Sequence, residues 1–362
     1  MATCDAWRTS CCLLRAPHPP PAPPSTLPPP LPPQLLDLLK SVSRSFYLSI
    51  RLLPAGLRQP VAIAYLLARA SDTIADTSEL PARERATMLE LFMGLIEGAQ
   101  PPGSVEDISA WFAPFQRNED EHALMVALPQ CFAWMAQLGP QDLDAVREVL
   151  ASITRGQQLD VERFGEPATI ASLQSPGELD EYTWLVAGSV GEFWTRMCFR
   201  HLPDFSNLPE ERMLELAKSY GKGLQLVNIL RDVGEDLAAG RCYLPAHELA
   251  AAGVAPGDRI MNAAALQPVW QKWLHLAQQR LDDGMLYASA VKPRRVRAAS
   301  ALPALLGART LALLRADGLA GAMAHRVKMD RTQVQGLLLR LALTLASPAS
   351  LAAQYRRMGQ GQ

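Results

Sequence analysis

The sequence predicts an all-α fold in a single domain, and three observations lead to that prediction. From Gln34 onward the chain is rich in Ala, Leu, Arg, Glu and Gln, which favour helices. No convincing run of alternating β-branched residues marks a strand. The chain shows neither a fixed-period repeat nor a second composition regime, so we expect one domain over residues 34–350, followed by a tail at 351–362.

The overall composition limits the function. The 362 residues are 49% hydrophobic and 20% charged, which is enough apolar material for a large core. A net charge of −1 gives no electrostatic reason to expect nucleic acid or an anionic membrane as a partner. None of the six cysteines forms a CxxC pair, and no apolar run is long enough to span a bilayer. We therefore expect a cytoplasmic protein, monomeric or dimeric, that at most touches a membrane surface.

The first 33 residues predict a disordered, proline-rich arm. Eleven of the seventeen residues from Pro17 to Pro33 are proline. Proline fixes φ and lacks an amide donor, so this stretch can form neither helix nor sheet. The arm could bind a partner domain, but a passive extension is favoured because the assignment rests on composition alone.

Prolines and capping residues mark where helices begin. Pro60 is predicted in the first turn of a helix that ends near Asp76, and Pro81 opens the next helix. Ser104 and Asp107 fit a capping box at the start of a further helix. We predict additional helices at about 209–237, 268–286, 303–316 and 331–345.

The first chemical signal is a pair of aspartates, Asp72 and Asp76, four positions apart. On a helix they share a face, and stepping back along that face gives Arg69 and Tyr65. Alone the pair is weak, because such a spacing arises by chance about once in a chain of this length. The alternative is a solvated face with an Arg–Asp ion pair.

The second signal is a polar face at 225–236. Its opposite side is apolar and would face the core, and Arg231 lies four positions before Glu235, a spacing that predicts an ion pair. Three nearby glycines are costly in a helix and indicate close approach by a ligand or another helix. The polar face consists of Gln225, Asn228, Asp232 and Asp236, and the glycines are Gly221, Gly223 and Gly234.

Two helices that each present aspartates at i and i+4 could face each other across a bundle. Four carboxylates in one cavity would repel and raise each other's pKa values, so the arrangement requires cations. Carboxylate oxygens suit Mg²⁺, which completes its shell with water and substrate phosphate. The matching substrate is a diphosphate, whose departure metal ions and nearby Arg or Lys would assist.

Five sequence elements follow one another in a specific order. The first three are Ser43-Arg44-Ser45-Phe46, Tyr65-x3-Arg69-x2-Asp72-x3-Asp76 and Tyr182-x3-Val186-Ala187-Gly188-x-Val190-Gly191. The others are Gln225-x2-Asn228-x2-Arg231-Asp232-x2-Glu235-Asp236 and Gly240-Arg241-x-Tyr243-Leu244-Pro245. Over residues 41–329 the chain thereby resembles the squalene and phytoene synthase family, the head-to-head branch of the isoprenyl diphosphate synthases.

The resemblance implies a helical isoprenoid synthase bundle with a central cavity and Mg²⁺-bridged diphosphates. Tyr65 and Tyr182 would lie near the cationic carbons, where a phenol can stabilise charge or accept a proton. They and the four motif aspartates are the implied catalytic residues. The implied Mg²⁺ ligands are Asp72, Asp76, Asn228, Asp232 and Asp236. The implied substrate-binding residues are Ser43, Arg44, Phe46, Arg69, Val186, Gln225, Asn228, Arg231, Glu235 and Arg241.

Within the family, the resemblance favours conversion of farnesyl diphosphate to squalene. One molecule would ionise and add to the alkene of the other, and the resulting cyclopropyl diphosphate would be ionised again and reduced by NADPH. Asp72-Thr73 and the segment 302–311 look more like the squalene branch than the phytoene branch. The residues predicted to bind NADPH are Arg294, Arg295, Arg297 and Lys328, although the three arginines could equally line a solvated turn.

Several alternatives stay open at this point. Ala75 and Thr77 stand where the first motif usually carries an extra acid, which lowers the local negative charge. A phytoene or dehydrosqualene synthase, or an enzyme that stops at the cyclopropyl diphosphate, is compatible with the motifs. A non-catalytic scaffold would have lost motif aspartates, and all four are present. A head-to-tail synthase would carry DDxxD motifs, which are absent.

Overall fold

Helices form nearly all of the regular structure in the part of the chain that the structure describes, which confirms the predicted all-α fold. The computed structural model describes residues 30–43, 46–99, 104–165, 170–254, 263–329, 331–344 and 347–360. Residues 1–29 of the predicted arm lie outside the described residues. The first eight helices are α1 (Pro33–Ser43), α2 (Phe46–Leu52), α3 (Ala55–Asp76), α4 (Ala82–Glu97), α5 (Ser104–Phe112), α6 (Glu119–Val126), α7 (Leu128–Met135) and α8 (Pro140–Phe164).

The remaining elements follow the long helix α8. Two short strands, β1 (Ala171–Ser172) and β2 (Arg241–Cys242), pair in parallel. Each has only two residues, too few to leave an alternating pattern in the sequence. The helices are α9 (Pro176–Thr183), α10 (Ser189–His201), α11 (Glu210–Arg231), α12 (Val233–Ala238), α13 (Ala246–Ala251), α14 (Ala263–Ala290), α15 (Arg294–Ala324), α16 (Arg331–Thr344) and α17 (Pro348–Gly359).

Several predicted helix boundaries differ from the observed ones, and the helix predicted at 268–286 extends over Ala263–Ala290. The helix α3 begins at Ala55, so Pro60 lies in its second turn instead of its first. The helix predicted at 209–237 is divided at Asp232, whose ψ of 10° leaves the helical range and separates α11 from α12. The prediction at 303–316 covers only the middle of α15, which is interrupted at Gly318 by a φ of 68°.

Helix α11 connects the two halves of the core. It packs against both α10 and α14. Its residues Leu216 and Ala217 belong to an apolar cluster built largely from α3, α4, α7 and α8. Its residues Leu226 and Leu230 belong to a second cluster, built largely from α14, α15 and α17. The walls of an internal cavity take residues from both clusters.

Glycines allow α11 to approach the start of α10 very closely. A Cβ atom at Gly221 would lie less than 3.0 Å from the Ala187 carbonyl, and one at Gly191 less than 3.0 Å from the Ala217 carbonyl. From Ala217 to Gly221 the residue number rises along α11, whereas from Gly191 to Ala187 it falls along the partner segment. The two segments therefore cross in antiparallel directions. Ala187 belongs to a π-helical turn at Trp184–Gly188, a feature that is frequent at functional sites. This turn contributes to the cavity wall.

The C-terminal residues pack on the bundle. Residues 351–360, which the sequence analysis set apart as a tail, lie within or directly after α17. Their side chains Leu351, Tyr355 and Met358 are buried, and the Tyr355 hydroxyl donates to Asp282 at 2.9 Å. Throughout the described ranges, every helix is too short or too polar to cross a lipid bilayer.

Candidate active site

The bundle encloses a cavity of about 560 Å³, a size typical of small-molecule sites. Its polar lining comes from the C-terminal ends of α3, α8 and α11, represented by Asp76, Asp160 and Asn228. Its apolar lining continues toward Phe193 of α10 and Tyr287 of α14. One end of the cavity therefore suits a charged group and the rest suits a hydrocarbon.

The polar stripe predicted on α3 faces this cavity. Tyr65, Arg69, Asp72 and Asp76 all line it, because residues three and four apart share one side of a helix. Arg69 pairs with Asp72 on its own helix and with Glu121 of α6 at 2.5 Å. The stripe is therefore part of the cavity wall and not a solvated outer face.

The second acidic motif approaches the first through Arg241, although its aspartates, Asp232 and Asp236, are not among the cavity-lining residues. Gln225 and Asn228 line the cavity from α11. Arg241 of β2 also lines it and donates to the Asp236 carboxylate at 2.9 Å. Burial raises the pKa of Asp76, and the nearby charge of Arg241 opposes that shift. Since Arg241 acts on one aspartate from each motif, the two acidic segments converge on the same end of the cavity.

The Asp232 carboxylate is held by two arginines. Arg231 donates to it at 2.6 and 2.8 Å, and Arg326, which follows α15, lies 2.9 Å from it. The predicted ion pair between Arg231 and Glu235 is wrong. The break in the helix at Asp232 turns Arg231 toward its neighbour, and Glu235 instead lies 3.4 Å from Arg326.

Several of the carboxylates at this end of the cavity have raised pKa values. Burial and the nearby Asp76 raise the pKa of Asp72 to about 6, although 40% of the Asp72 side chain stays accessible from the cavity side. Burial also raises the pKa of Asp236 to about 6, against the opposing charge of Arg241. The arginines present do not fully compensate these carboxylates, so additional positive charge would stabilise their ionised forms.

The arrangement fits Mg²⁺ as a partly solvated ion. Among the described residues, no three His, Cys, Asp or Glu side chains are close enough to form a closed metal cage. Mg²⁺ does not require one, since it is usually held by one or two carboxylates together with water and substrate phosphates. Asp72 and Asp76 on one helix face supply such a pair. The C-terminal ends of α3, α8 and α11 add partial negative charge that favours a cation there.

Two tyrosine groups frame the cavity. Tyr65 stacks on Phe46 with ring centroids 5.2 Å apart, and both rings line the cavity. Tyr182 stacks on Tyr243 at 5.1 Å, and both phenols donate to the same oxygen of Asp160, at 3.0 and 2.7 Å. Val186, in the π-helical turn after Tyr182, also lines the cavity.

Other predicted site residues are placed elsewhere. The buried Ser43 hydroxyl donates to the Leu39 carbonyl within its own helix, and Arg44 lies outside the described residues. The buried Arg297 guanidinium donates to the carbonyls of Val291 (2.6 Å) and Lys292 (3.0 Å) at the end of α14. These contacts lie at helix ends, and the binding roles of Ser43 and Arg297 stay predictions.

The four residues predicted for NADPH do not form one cluster. Arg294, Arg295 and Arg297 lie at the start of α15, whereas Lys328 follows its end. Residues 294–318 of this helix, with Pro303 in their interior, correspond to roughly 36 Å at 1.5 Å per residue. These residues do not fit a common phosphate site.

Several cavity residues were missed by the sequence analysis. Asp160 and Gln157 interrupt the apolar face of α8 with a three-residue spacing, a signal that could have identified them. Glu121 and Arg326 reach the site from distant segments and have no local signal. Glu121 places an acid beside Arg69. Arg85 of α4 also lines the cavity and donates to the Ala75 carbonyl at the end of α3.

Two curated synthases illustrate which known proteins this chain is similar to. A presqualene diphosphate synthase of Rhodopseudomonas palustris is 29% identical over 315 residues, which cover 84% of this chain and 94% of the relative. A bifunctional lycopene cyclase/phytoene synthase of Arthroderma gypseum is 28% identical over 62% of this chain, and the match covers 36% of that relative.

Solved structures show the same fold. The complex of TcSQS with the ligand BPH1237 superposes with a TM-score of 0.71 at 20% identity, covering 90% of this chain and 89% of the other. A dehydrosqualene synthase bound to a ligand gives a TM-score of 0.58 at 22% identity, covering 86% of this chain and 95% of the other. Finally, the squalene/phytoene synthase family model matches residues 39–333. Since this match covers most of the chain, the protein belongs to the squalene/phytoene synthase family, whose members are head-to-head prenyltransferases.

Proposed function

We propose that the protein joins two molecules of farnesyl diphosphate head to head and forms presqualene diphosphate. The observation that carries the proposal is the convergence of two acidic segments and several arginines at the polar end of an otherwise apolar cavity. Such an end suits a diphosphate leaving group, and the apolar remainder suits prenyl chains. The presqualene diphosphate synthase relative, matched over 94% of its length, supports this product.

The charged end of the cavity would promote loss of the diphosphate. Arg69 and Arg241 line the cavity and can donate to its oxygens as the bond between carbon and oxygen breaks. Mg²⁺, when bound, supplies further positive charge to the leaving group. The residues that would hold it are Asp72, Asp76, Asn228, Asp232 and Asp236.

The apolar part of the cavity would protect the allylic cation. The stacked rings of Phe46 and Tyr65 present aromatic surface to the cavity, where it can stabilise a nearby cation. Deeper walls such as Phe193 and Tyr287 exclude water that would otherwise capture the cation as an alcohol. The second alkene is then the nucleophile held against the cation, and coupling is favoured by proximity.

Squalene is the second candidate product. The similarity of Asp72-Thr73 and of segment 302–311 to the squalene branch favours it. It requires NADPH in addition to the condensation. The residues predicted to bind that cofactor do not share one site, so the proposal is limited to the condensation, and the reduction is an outcome of the test.

The test uses purified protein with farnesyl diphosphate and Mg²⁺, with and without NADPH. We expect presqualene diphosphate, detected as its alcohol after dephosphorylation. Squalene that forms only with NADPH would establish the second candidate. A parallel reaction with geranylgeranyl diphosphate tests the phytoene alternative. Absence of coupled product from either substrate, with an Asp76→Asn variant as the inactive control, would refute the proposal.

A further inference from the structure

Asp160 occupies an unusual position at the end of α8. It lines the cavity, and one of its carboxylate oxygens accepts hydrogen bonds from both Tyr182 (3.0 Å) and Tyr243 (2.7 Å). The other oxygen, Oδ1, is buried and accepts no hydrogen bond from any residue that the structure describes. One oxygen of this carboxylate thus accepts two hydrogen bonds and the other accepts none. Packing alone does not explain this arrangement, because buried polar atoms normally have hydrogen-bond partners.

The proposed condensation requires a group that removes a proton. When the allylic cation adds to the second alkene, a tertiary cation remains on the acceptor chain. The cyclopropane ring closes when a C–H bond beside it breaks and its electron pair forms the last ring C–C bond. The released proton must be taken up by a base within the cavity.

We infer that Asp160 is the final acceptor of this proton and receives it through Tyr182. The inference rests on the proposed function. The Tyr182 hydroxyl oxygen takes the proton from carbon while its own hydrogen moves along the existing hydrogen bond to Asp160 Oδ2. Tyr182 therefore ends the step as a neutral phenol, and Asp160 ends it as a neutral acid. No oxidant or further reactant is needed.

The surroundings of Tyr182 favour a relay over direct action by the phenol. Burial and the adjacent Asp160 carboxylate raise the pKa of Tyr182 well above its usual value, so the phenol keeps its hydrogen before the reaction. A phenol that is not ionised before the reaction can still transfer a proton to a carboxylate to which it is hydrogen-bonded. The geometry provides that carboxylate at hydrogen-bonding distance.

The surroundings of Asp160 match this task. Burial raises the pKa of Asp160 to about 7, while the two phenols and the charge of Arg241 act in the opposite direction, and Asp76 adds to the increase. An acceptor whose pKa is near neutrality can be ionised before the step and still hold the proton after it. Tyr243 donates to the same oxygen without lining the cavity, so its role is to orient and stabilise the carboxylate.

The experiment compares pyrophosphate release with coupled product. The balanced condensation gives one pyrophosphate for each presqualene diphosphate. In Asp160→Asn we expect ionisation to continue, with water capturing the allylic cation as farnesol or the coupled tertiary cation as an alcohol. Little presqualene diphosphate, the coupled product that is measured, should then form. Coupled turnover should fall roughly 10²- to 10⁴-fold, the usual contribution of a positioned acid or base, while the KM for farnesyl diphosphate stays within about threefold. Pyrophosphate should exceed coupled product at least tenfold.

A matched control is available on the same helix. Asp142 is also a buried carboxylate, paired with Arg200 and His201 at 2.9 Å. It lies 18 positions before Asp160, about 27 Å away along α8. Asp142→Asn should keep the one-to-one ratio of pyrophosphate to product even if it lowers stability.

A double mutant separates the relay from a structural role. If Asp160 acts through Tyr182, then Asp160→Asn combined with Tyr182→Phe should be no slower in coupled turnover than Tyr182→Phe alone. Parallel loss of pyrophosphate release and product in Asp160→Asn, or additive losses in the double mutant, would overturn the inference. Failure of the unmodified enzyme to form any coupled product would instead refute the proposed function.

Discussion

Substitution of Gly221 by alanine tests the helix crossing that shapes the cavity. Gly221 lines the cavity, and a Cβ atom there would meet the backbone carbonyl of Ala187 in the π-helical turn at less than 3.0 Å. A backbone carbonyl cannot rotate away as a side chain can. The turn must therefore shift, and with it the adjacent Val186 and Tyr182.

The expected destabilisation follows from two opposing terms. Alanine is favoured over glycine inside a helix by about 1 kcal/mol. Overpacking of a rigid site costs about 1–3 kcal/mol, and contact with backbone places Gly221 at the upper end of this range. The net result is a loss of about 2 kcal/mol in the free energy of unfolding. Gly336, in α16, provides the opposite case, because a Cβ there would meet nothing within 4 Å. Gly336→Ala should gain about 1 kcal/mol.

Both variants can be measured by equilibrium unfolding in urea, followed by far-ultraviolet circular dichroism. The two substitutions should differ by about 3 kcal/mol with opposite signs, the sum of the terms above. Gly221→Ala should also raise the KM for farnesyl diphosphate, since the shifted turn enters the cavity. A Gly221→Ala protein as stable as Gly336→Ala would refute the argument that this crossing is closed to a methyl group.

Three further predictions concern the site and the N-terminal end of the chain. Asp76→Asn and Asp232→Asn should each reduce coupled turnover by at least about 10²-fold while circular dichroism stays unchanged, and full activity in either would contradict the proposed role of these carboxylates. Deletion of residues 1–29 should leave kcat/KM unchanged, whereas extending it past the buried Leu31 should lower the melting temperature. Asp160 has a pKa of about 7 in the folded state and about 3.9 in the unfolded state. Because this group ionises first in the unfolded state, its contribution to the free energy of unfolding falls as pH rises from 4 to 7. Asp160→Asn should therefore become more stable relative to the unmodified protein as pH rises, by up to about 4 kcal/mol in the free energy of unfolding at pH 8. The measurement is the shift in denaturant midpoint caused by the substitution, and an equal shift at pH 4 and pH 8 would contradict the assigned ionisation.

The sequence predicted the helical fold and the positions of the main acidic face because both depend on local periodicity. Tyr65, Arg69, Asp72 and Asp76 share a stripe at three- and four-residue spacing, and the structure turns that stripe toward the cavity. The break at Asp232 was not predictable in this way. A polar residue at a regular helical spacing gives no sign that the backbone will leave the helix there.

The parts of the site that escaped prediction come from segments distant in sequence. Glu121 reaches Arg69 from α6, and Arg326 reaches Asp232 from beyond α15. Neither has a spacing that relates it to the motif it contacts. The same limit explains the error at Arg231, since its i, i+4 partner Glu235 was displaced by the helix break and engaged by Arg326.

The ion pairs at the charged end of the cavity imply that diphosphate and a divalent cation bind together. Arg69 pairs with Asp72 and Arg241 with Asp236. A diphosphate that takes up these arginines leaves the carboxylates without a counter-charge. Two unit charges 4 Å apart interact with roughly 4 kcal/mol at an effective dielectric of 20, so this exchange alone is unfavourable and a divalent cation offsets it.

Calorimetric titration of inorganic pyrophosphate, with and without Mg²⁺, measures this coupling. We expect affinity at least tenfold higher with Mg²⁺ present. In Asp72→Asn one carboxylate no longer needs compensation, so pyrophosphate should bind more tightly without Mg²⁺ and the dependence on Mg²⁺ should shrink. If the unmodified protein bound pyrophosphate equally well in both conditions, the arginines would not be exchanging partners, and the acidic faces would have to be explained as structural ion pairs.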